Sequence, residues 1–349
     1  MVKGRLRNLD IIKICAAFAI CFHHYQQCFE VQFNSSILNN VLPLLGFFVE
    51  LFFMISGFFA ARTYKSQQDF KCQYLKKFLR LYPYALITVI VTAVIMALHY
   101  AIFGEFIFGN HYSVPGIITS FLMVNQGWVI EYAPALNNPI WYICVLLWFY
   151  LLYYIIEHIF TNRGESRIAK LLIYSIIAII GGIGWRFGFS VPFLYISDCR
   201  GYATFFIGVI LYEIINNINI KSINYIRLLS LGIVLMMACV LIINRNFNWY
   251  VCVYIICPSI IIMSITLPQV ESKNIEAVCE STFQLYLWHV PCFYVFQFVL
   301  DLGHLDFIHS IFSIVLTVSI CFVVSVLVYF YIDVPISEFI TKKMRRNLV

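Results

Sequence analysis

Charge is what this sequence has least of. Only 11% of its 349 residues are Asp, Glu, Lys or Arg, whereas 62% are hydrophobic. A water-soluble domain carries roughly 25% charged residues. A soluble globular fold is therefore excluded. Several apolar runs are longer than the ~20 residues that cross a bilayer, which indicates an integral membrane protein.

The sequence also lacks the patterns of other protein classes. Its apolar runs do not alternate with polar residues, so they predict transmembrane helices and not a β-barrel. The twelve cysteines lie mostly inside these runs without metal-type spacing, and we expect neither disulfides nor a metal site. The first run follows Lys3, Arg5 and Arg7 but has no small-residue cleavage site, so we expect a retained span.

We predict an all-α, polytopic membrane protein of about ten transmembrane helices, forming one membrane-embedded domain over residues 1–349. The predicted spans lie near residues 10–29, 43–62, 80–103, 139–159, 170–188, 201–216, 225–244, 248–267, 281–301 and 309–332. With this count, 20 of the 23 Lys and Arg residues fall on one side, and only Arg186, Arg200 and Arg245 on the other. The positive-inside rule then places both termini in the cytoplasm, with the protein in the cell membrane.

The longest segment between spans, residues 104–138, is predicted to be extracytoplasmic. Its apolar middle from Val114 to Val124 is too short to span, so we expect an interfacial or re-entrant helix over an outer pocket, with a plain surface loop as the alternative. The net charge of +6 follows from the loop bias and predicts membrane lipids as surroundings, not nucleic acid as a partner. The oligomeric state cannot be predicted.

Ionisable residues inside spans are candidate functional groups, because lipid penalises them. Lys13 and His24 in the first span are eleven residues apart, so they share a helix face at a separation of roughly 16 Å. This geometry suits a long ligand with an anionic head at Lys13 and a reactive end at His24. The alternative is a snorkelling lysine and an interfacial histidine.

Two further segments carry candidates. Lys77 and Arg80 are three residues apart at the predicted start of the third span, where they and free backbone N–H groups can hold phosphates; the alternative is the ordinary basic loop. His289 lies in the ninth span beside Pro291, with a packing role as its alternative. For Ser56 and Gly57 in the second span we favour close helix packing.

Taken together, these segments resemble acyltransferase family 3 of the membrane O-acyltransferases, in its single-domain branch acting on surface glycans. The residues that carry the resemblance are Leu9, Asp10, Lys13, His24, Phe52, Phe53, Ser56, Gly57, Phe58, Lys77, Arg80, Tyr82, Pro83, Trp141, Phe149, Tyr150, Tyr286, His289, Asp333 and Pro335. The chain departs from the family pattern at Lys13 and Lys77, where relatives carry arginine. It also has Leu146 and Leu147 where many relatives carry a glutamate.

The resemblance implies transfer of an acyl group, most often acetyl, from cytoplasmic acyl-CoA to a hydroxyl of an extracytoplasmic or lipid-linked glycan. Lys13, Lys77 and Arg80 would hold the donor phosphates. His24 would act as general base or carry the acyl group, and we favour the base. His289 would position substrate or stabilise the oxyanion. Substrate binding is assigned to Asp10, Glu131, Trp141 and Tyr286, and no metal is required.

Two other functions are compatible with the same residues. A transporter or flippase of a lipid-linked glycan or small solute would also carry intramembrane charges, although the inverted repeat of many transporters is missing. A scaffold subunit without chemistry would place Lys13 and His24 on one helix face by accident. The acceptor sugar and the acyl chain cannot be predicted from the sequence.

Overall fold

The structure is a computed structural model that describes residues 4–109, 112–132, 136–164, 166–217, 226–234, 249–305 and 308–347. Within these ranges the ordered elements are helices, and no β-strand occurs. The predicted all-α class is confirmed. This class is the one that a lipid bilayer favours, because a helix satisfies its own backbone hydrogen bonds without water.

The helices whose two ends are described are numbered in chain order. They are α1 (Arg7–Phe29), α2 (Ser36–Val41), α3 (Phe48–Thr63), α4 (Phe70–Phe103), α5 (Val114–Leu122), α6 (Ile140–Arg163), α7 (Arg167–Phe187), α8 (Ile196–Ile215), α9 (Trp249–Val251), α10 (Cys257–Thr266), α11 (Lys273–Glu280), α12 (Thr282–Gly303), α13 (Ile311–Val328) and α14 (Val334–Asn347). Short 3₁₀ turns cover Leu42–Phe47 and Ile107–Gly109, and π-helical turns cover Cys252–Ile256 and Tyr329–Asp333.

Seven helical stretches of the described chain are long and apolar enough to cross a membrane, which confirms a polytopic protein. They are Leu38–Thr63, Phe70–Phe103, Ile140–Arg163, Arg167–Phe187, Trp249–Thr266, Thr282–Gly303 and Ile311–Lys343. Helix α1, with 23 residues, and helix α8, with 20, are also long enough but carry more polar residues. Of the predicted span 225–244, residues 226–234 are helical, and residues 225 and 235–244 lie outside the described residues. The count of ten and the orientation stay predictions.

Helix α4 begins at Phe70, ten residues before the predicted span. Apolar side chains recur every three or four residues at Phe70, Tyr74, Phe78 and Leu81, so the segment has one apolar face and is helical despite its lysines. The four unpaired N–H groups of a helix lie in its first turn. The predicted contribution of backbone donors at Lys77 and Arg80 is therefore wrong, because both residues lie well inside α4.

The chain divides into two compact units. The first contains Met1–Lys13, Phe47–Tyr74 and Val145–Glu276, and the second contains Ile14–Gly46, Leu75–Cys144 and Ala277–Val349. In the first unit, α8 packs against both α3 and α7. A Cβ atom on Gly57 would meet the backbone carbonyl of Phe205, and one on Gly208 would meet that of Met54. The packing interpretation of Gly57 is confirmed, since the two backbones touch at these glycines.

In the second unit, α12 packs against α13. Pro291 lies inside α12, where it removes the N–H that would bond the carbonyl of Leu287. The buried side chain of Asn137 replaces that donor: its Nδ2 lies 3.0 Å from Leu287 O and 2.9 Å from Thr88 Oγ1 of α4. Asn137 therefore ties two helices together at the point that the proline leaves without a hydrogen bond.

Candidate active site

The second unit brings two of the predicted site residues into contact. His24 on α1 and His289 on α12 are stacked, with their ring centroids 5.2 Å apart and their planes 27° from parallel. Both residues are buried, with 6% and 0% of their surfaces exposed. The rings belong to positions 265 residues apart in sequence. Their contact is the central feature of the candidate site.

The hydrogen bonds of the two rings define where their protons are. His289 Nδ1 lies 3.2 Å from the carbonyl oxygen of Leu285, which can only accept, so Nδ1 carries the proton. His289 Nε2 is buried and has no hydrogen-bond partner among the described residues. His24 Nδ1 lies 2.9 Å from Oε1 of Gln27, which likewise makes Nδ1 the donor. In neutral rings, both Nε2 atoms are then available as proton acceptors.

A third imidazole flanks the pair. The ring of His23 lies 5.1 Å from that of His24, tilted by 58°, and its Nδ1 lies 3.2 Å from Leu42 O. Gly46 makes room for it, because a Cβ there would approach His23 Nε2 to 2.9 Å. On the other side, His289 packs edge-on against Phe293 and Tyr286. Aromatic rings thus hold the histidine pair in place.

Arg80 is held in a polar cluster of the second unit. Its Nη1 donates to the Asp333 carboxylate and to Ser337 Oγ, and its guanidinium lies over the rings of Tyr84 and Phe283. Arg80 keeps 45% of its side chain exposed, whereas Asp333 is buried. Asp333 and Ser337 both bind Nη1, so the exposed part of the guanidinium can offer further N–H donors to an anion.

Gln284 connects this cluster with the helix that carries His289. Its Nε2 donates to Asp333 Oδ2 at 2.8 Å, and its Oε1 is buried without a partner in the described part of the chain. Gln284 precedes His289 on α12 by five residues, a rise of about 7.5 Å. Helix α12 therefore contacts the Arg80 cluster through Gln284 and carries one imidazole of the histidine pair.

The remaining predicted residues have separate surroundings. In the first unit, Lys13 pairs with Asp10 at 2.6 Å, and Arg5 binds the other carboxylate oxygen of Asp10 at 2.8 Å. In the second unit, Tyr286 donates to the carbonyl of Pro139 at 3.0 Å. These bonds give Asp10 and Tyr286 structural partners, and their substrate contacts stay predictions.

Trp141 is buried near the start of α6, and Glu131 is exposed in the segment before it. His24, His289, Lys77 and Arg80 all belong to the second unit, whereas Lys13 belongs to the first. The roles assigned to these residues from the sequence, including the place of Lys13 in donor binding, stay predictions.

Sequence reasoning missed two amides and an ion pair. Gln284 lies inside an apolar run only five residues before His289, so the rule that selected the histidine would also have selected it. Asn137 precedes α6 and gave no periodic signal. In the first unit, the fully buried Glu50 accepts from Arg200 Nε at 2.6 Å, a pairing across 150 residues.

Comparison with known proteins gives a family match. A family model described as an acyltransferase domain matches residues 6–329, nearly the whole chain. No curated protein and no solved structure matches the chain. The matched range includes His24, Arg80 and His289. The family resemblance derived from the sequence motifs is confirmed, whereas the branch acting on surface glycans stays a prediction.

Proposed function

The chain belongs to acyltransferase family 3, and from this membership we propose that it transfers an acyl group, in the first instance acetyl, from cytoplasmic acyl-CoA to a glycan hydroxyl. The acceptor in this proposal is extracytoplasmic or lipid-linked. That the chain is a multi-pass membrane acyltransferase follows from the family and from the apolar helices. The donor, the acyl group and the acceptor are the proposal.

The stacked pair of His24 and His289 is the observation that carries the proposal. We assign His24 as the general base. Its Nε2 takes the proton of the acceptor hydroxyl while the oxygen attacks the thioester carbonyl carbon. The tetrahedral intermediate then expels the CoA sulfur as the C–S bond breaks, and the imidazolium returns the proton to that thiolate. The ester is formed and the base is regenerated, so no other reactant is needed.

For His289 the structure favours positioning over oxyanion stabilisation. An oxyanion needs a hydrogen-bond donor, but the Nδ1 proton of His289 is already given to Leu285 O. Its Nε2 is an acceptor in the neutral ring and suits an acceptor hydroxyl. We therefore assign His289 as the residue that orients the sugar hydroxyl toward His24.

Lys77 and Arg80 are the proposed donor-binding residues in the second unit. They lie three residues apart on α4, which places them on one helix face. The exposed part of Arg80 suits a phosphate oxygen, and the bond to the buried Asp333 holds the guanidinium in place. Acyl-CoA supplies the activated thioester, and these two cations would hold its phosphates.

The test uses purified protein in nanodiscs with acetyl-labelled acetyl-CoA and a glycan acceptor. We expect thioester turnover with label on the acceptor, reduced at least about 100-fold in His24→Ala, the low end of what a general base contributes. His309→Ala, at an exposed histidine outside the site, is the matched control and should keep wild-type activity. Arg80→Ala should raise the KM for the donor more than that for the acceptor.

Two results would contradict the proposal. One is full turnover by His24→Ala, which would remove the general base. The other is movement of an intact ligand across the membrane without thioester cleavage, which is the behaviour of a transporter.

A further inference from the structure

The second unit contains a cavity of about 650 Å³ beyond the histidine pair, within the range of roughly 300–1,000 Å³ typical of small-molecule sites. It lies where α1, α4 and α12 end, on the predicted extracytoplasmic side. Its wall carries three carboxylates, Glu30, Glu105 and Asp301, and none of its described lining residues is Lys or Arg. We call this space the acidic cavity.

A hydrogen-bonded group shapes one wall of the acidic cavity. His99 is buried; its Nδ1 lies 2.7 Å from Glu105 O and its Nε2 lies 2.9 Å from Asp301 Oδ2. Gln297 Nε2 donates to Asp301 Oδ1 at 2.7 Å. Each Asp301 oxygen has one partner and one further acceptor position, and 31% of the side chain is exposed. The carboxylate is thus held rigidly and still open to a ligand.

The other walls are aromatic and strained. Phe29, Phe103, Phe106 and Phe108 all line the cavity. Three of the five non-glycine residues with positive φ in the described chain, Glu30, Phe108 and His304, also line it. Such backbone conformations cost free energy and cluster at binding and active sites. A sugar ring presents an apolar C–H face and a set of hydroxyl groups. The aromatic side chains suit the C–H face, and the fixed hydrogen-bond acceptors suit the hydroxyls.

The acidic cavity is connected to the histidine pair through α1 and α12. Cys28 lines the cavity and follows His24 by four residues, so the two share one face of α1 at about 6 Å along the axis. Phe29, also in the wall, packs on Phe293, which in turn packs on His289. A ligand in the cavity is therefore one helical turn from the proposed base.

We infer that the acidic cavity is the acceptor subsite and binds a sugar that carries no negative charge. This inference rests on the proposed function and adds the class of its acceptor. The carboxylates of Asp301 and Glu105 accept hydrogen bonds from neighbouring hydroxyls. Asp301 is paired with His99, so the repulsion of a uronic acid comes from the other two carboxylates of the wall, Glu30 and Glu105. The aromatic walls hold the ring while its reacting hydroxyl points along α1 toward His24.

The test measures binding without turnover. Saturation-transfer NMR on the purified full chain gives the Kd of methyl α-D-glucopyranoside and of the corresponding methyl glucuronoside. We expect the neutral glycoside to bind at least about tenfold more tightly, and Asp301→Asn to weaken its binding about tenfold, the effect of one lost hydrogen bond to a charged group. Glu105→Gln, at an exposed position, tests the same point without risk to folding. Glu338→Gln, an exposed carboxylate outside the cavity, is the control.

Equal affinity for the two glycosides, or wild-type affinity in both cavity variants, would overturn the assignment. The acceptor KM in the transfer assay separates this inference from the proposed function. If Asp301→Asn and Glu105→Gln both transfer the acyl group with an unchanged acceptor KM, the proposed function is supported and the assignment of the cavity as acceptor subsite is contradicted. The protein could also bind the neutral sugar selectively, lose this binding in Asp301→Asn, and transfer no acyl group. That result would support the sugar site and contradict the proposed function.

Discussion

Replacing Asn137 by Ala should destabilise the protein by about 2–3 kcal/mol. The side chain is fully buried and makes two hydrogen bonds, one to Thr88 and one to the carbonyl of Leu287. The lost bond to Thr88 costs about 1 kcal/mol. The Leu287 carbonyl left without a partner costs about 1–2 kcal/mol, in the lower part of the usual range, because the substitution also removes the buried Asn137 Oδ1, which has no partner among the described residues. The free energy of unfolding can be measured by denaturant titration in mixed micelles.

The origin of this loss can be isolated with a second substitution. Pro291→Ala restores an N–H that can bond Leu287 O within α12, so Asn137→Ala should then cost about 1 kcal/mol less than in the wild-type background. Pro115→Ala is the matched control. Pro115 lies in the first turn of α5, where its N–H would have no helical partner, so the cost of Asn137→Ala should not change. The cost of Asn137→Ala in the Pro291→Ala background could instead equal its cost in the wild type within about 0.5 kcal/mol. That result would refute the claim that the unpaired Leu287 carbonyl causes part of the loss.

Three further outcomes are expected. Gly57→Ala should lower the free energy of unfolding by about 1–3 kcal/mol, because its Cβ would press on the Phe205 carbonyl. Gly232→Ala is the control and should not lower it, because the space around its Cβ position is open. Equal effects of the two substitutions would exclude backbone contact as the cause. Asp333→Asn should lower the free energy of unfolding by about 1–3 kcal/mol in the same titration, because Arg80 loses its charged partner. Glu338→Gln on α14 is the control. An Asp333→Asn variant as stable as the wild type would show that the pair is not needed for stability. The predicted cytoplasmic location of the C-terminus can be tested with fusions after Val349. A fluorescent protein fused there should mature, and an alkaline phosphatase fused there should be inactive. The reverse result would contradict the predicted orientation.

The positions of most helices follow from local sequence, because an apolar run of membrane length has no alternative in lipid. The predicted spans 139–159 and 281–301 correspond to α6 and α12 with differences of a few residues. The start of α4 was misplaced for a physical reason. Four basic residues lower the average hydropathy of its first turns, although one face of those turns is apolar.

The candidate residues could be selected from the sequence, but their partners could not. Polarity inside an apolar run was enough to select His24, Arg80 and His289. The stacking of His24 on His289 and the pairing of Arg80 with Asp333 join residues more than 250 positions apart, and no periodic pattern contains that information. The same limit applies to Asn137, which precedes α6 and whose importance depends on a carbonyl that Pro291 leaves without a hydrogen bond in α12.

The π-helical turn Tyr329–Asp333 has a consequence for chain length. A π-turn contains one residue more than an α-turn, so a deletion of one residue there can be absorbed by a change to regular α-helix. The residues after the turn would then keep nearly the same direction around the helix axis, because a π-turn and an α-turn with one residue fewer cover a similar angle. If the turn kept all its residues and became regular α-helix, the following residues would instead be rotated by roughly 100°. Asp333 would then turn away from Arg80 and Gln284, although the composition would be unchanged. The π-conformation of this turn therefore keeps Asp333 beside Arg80.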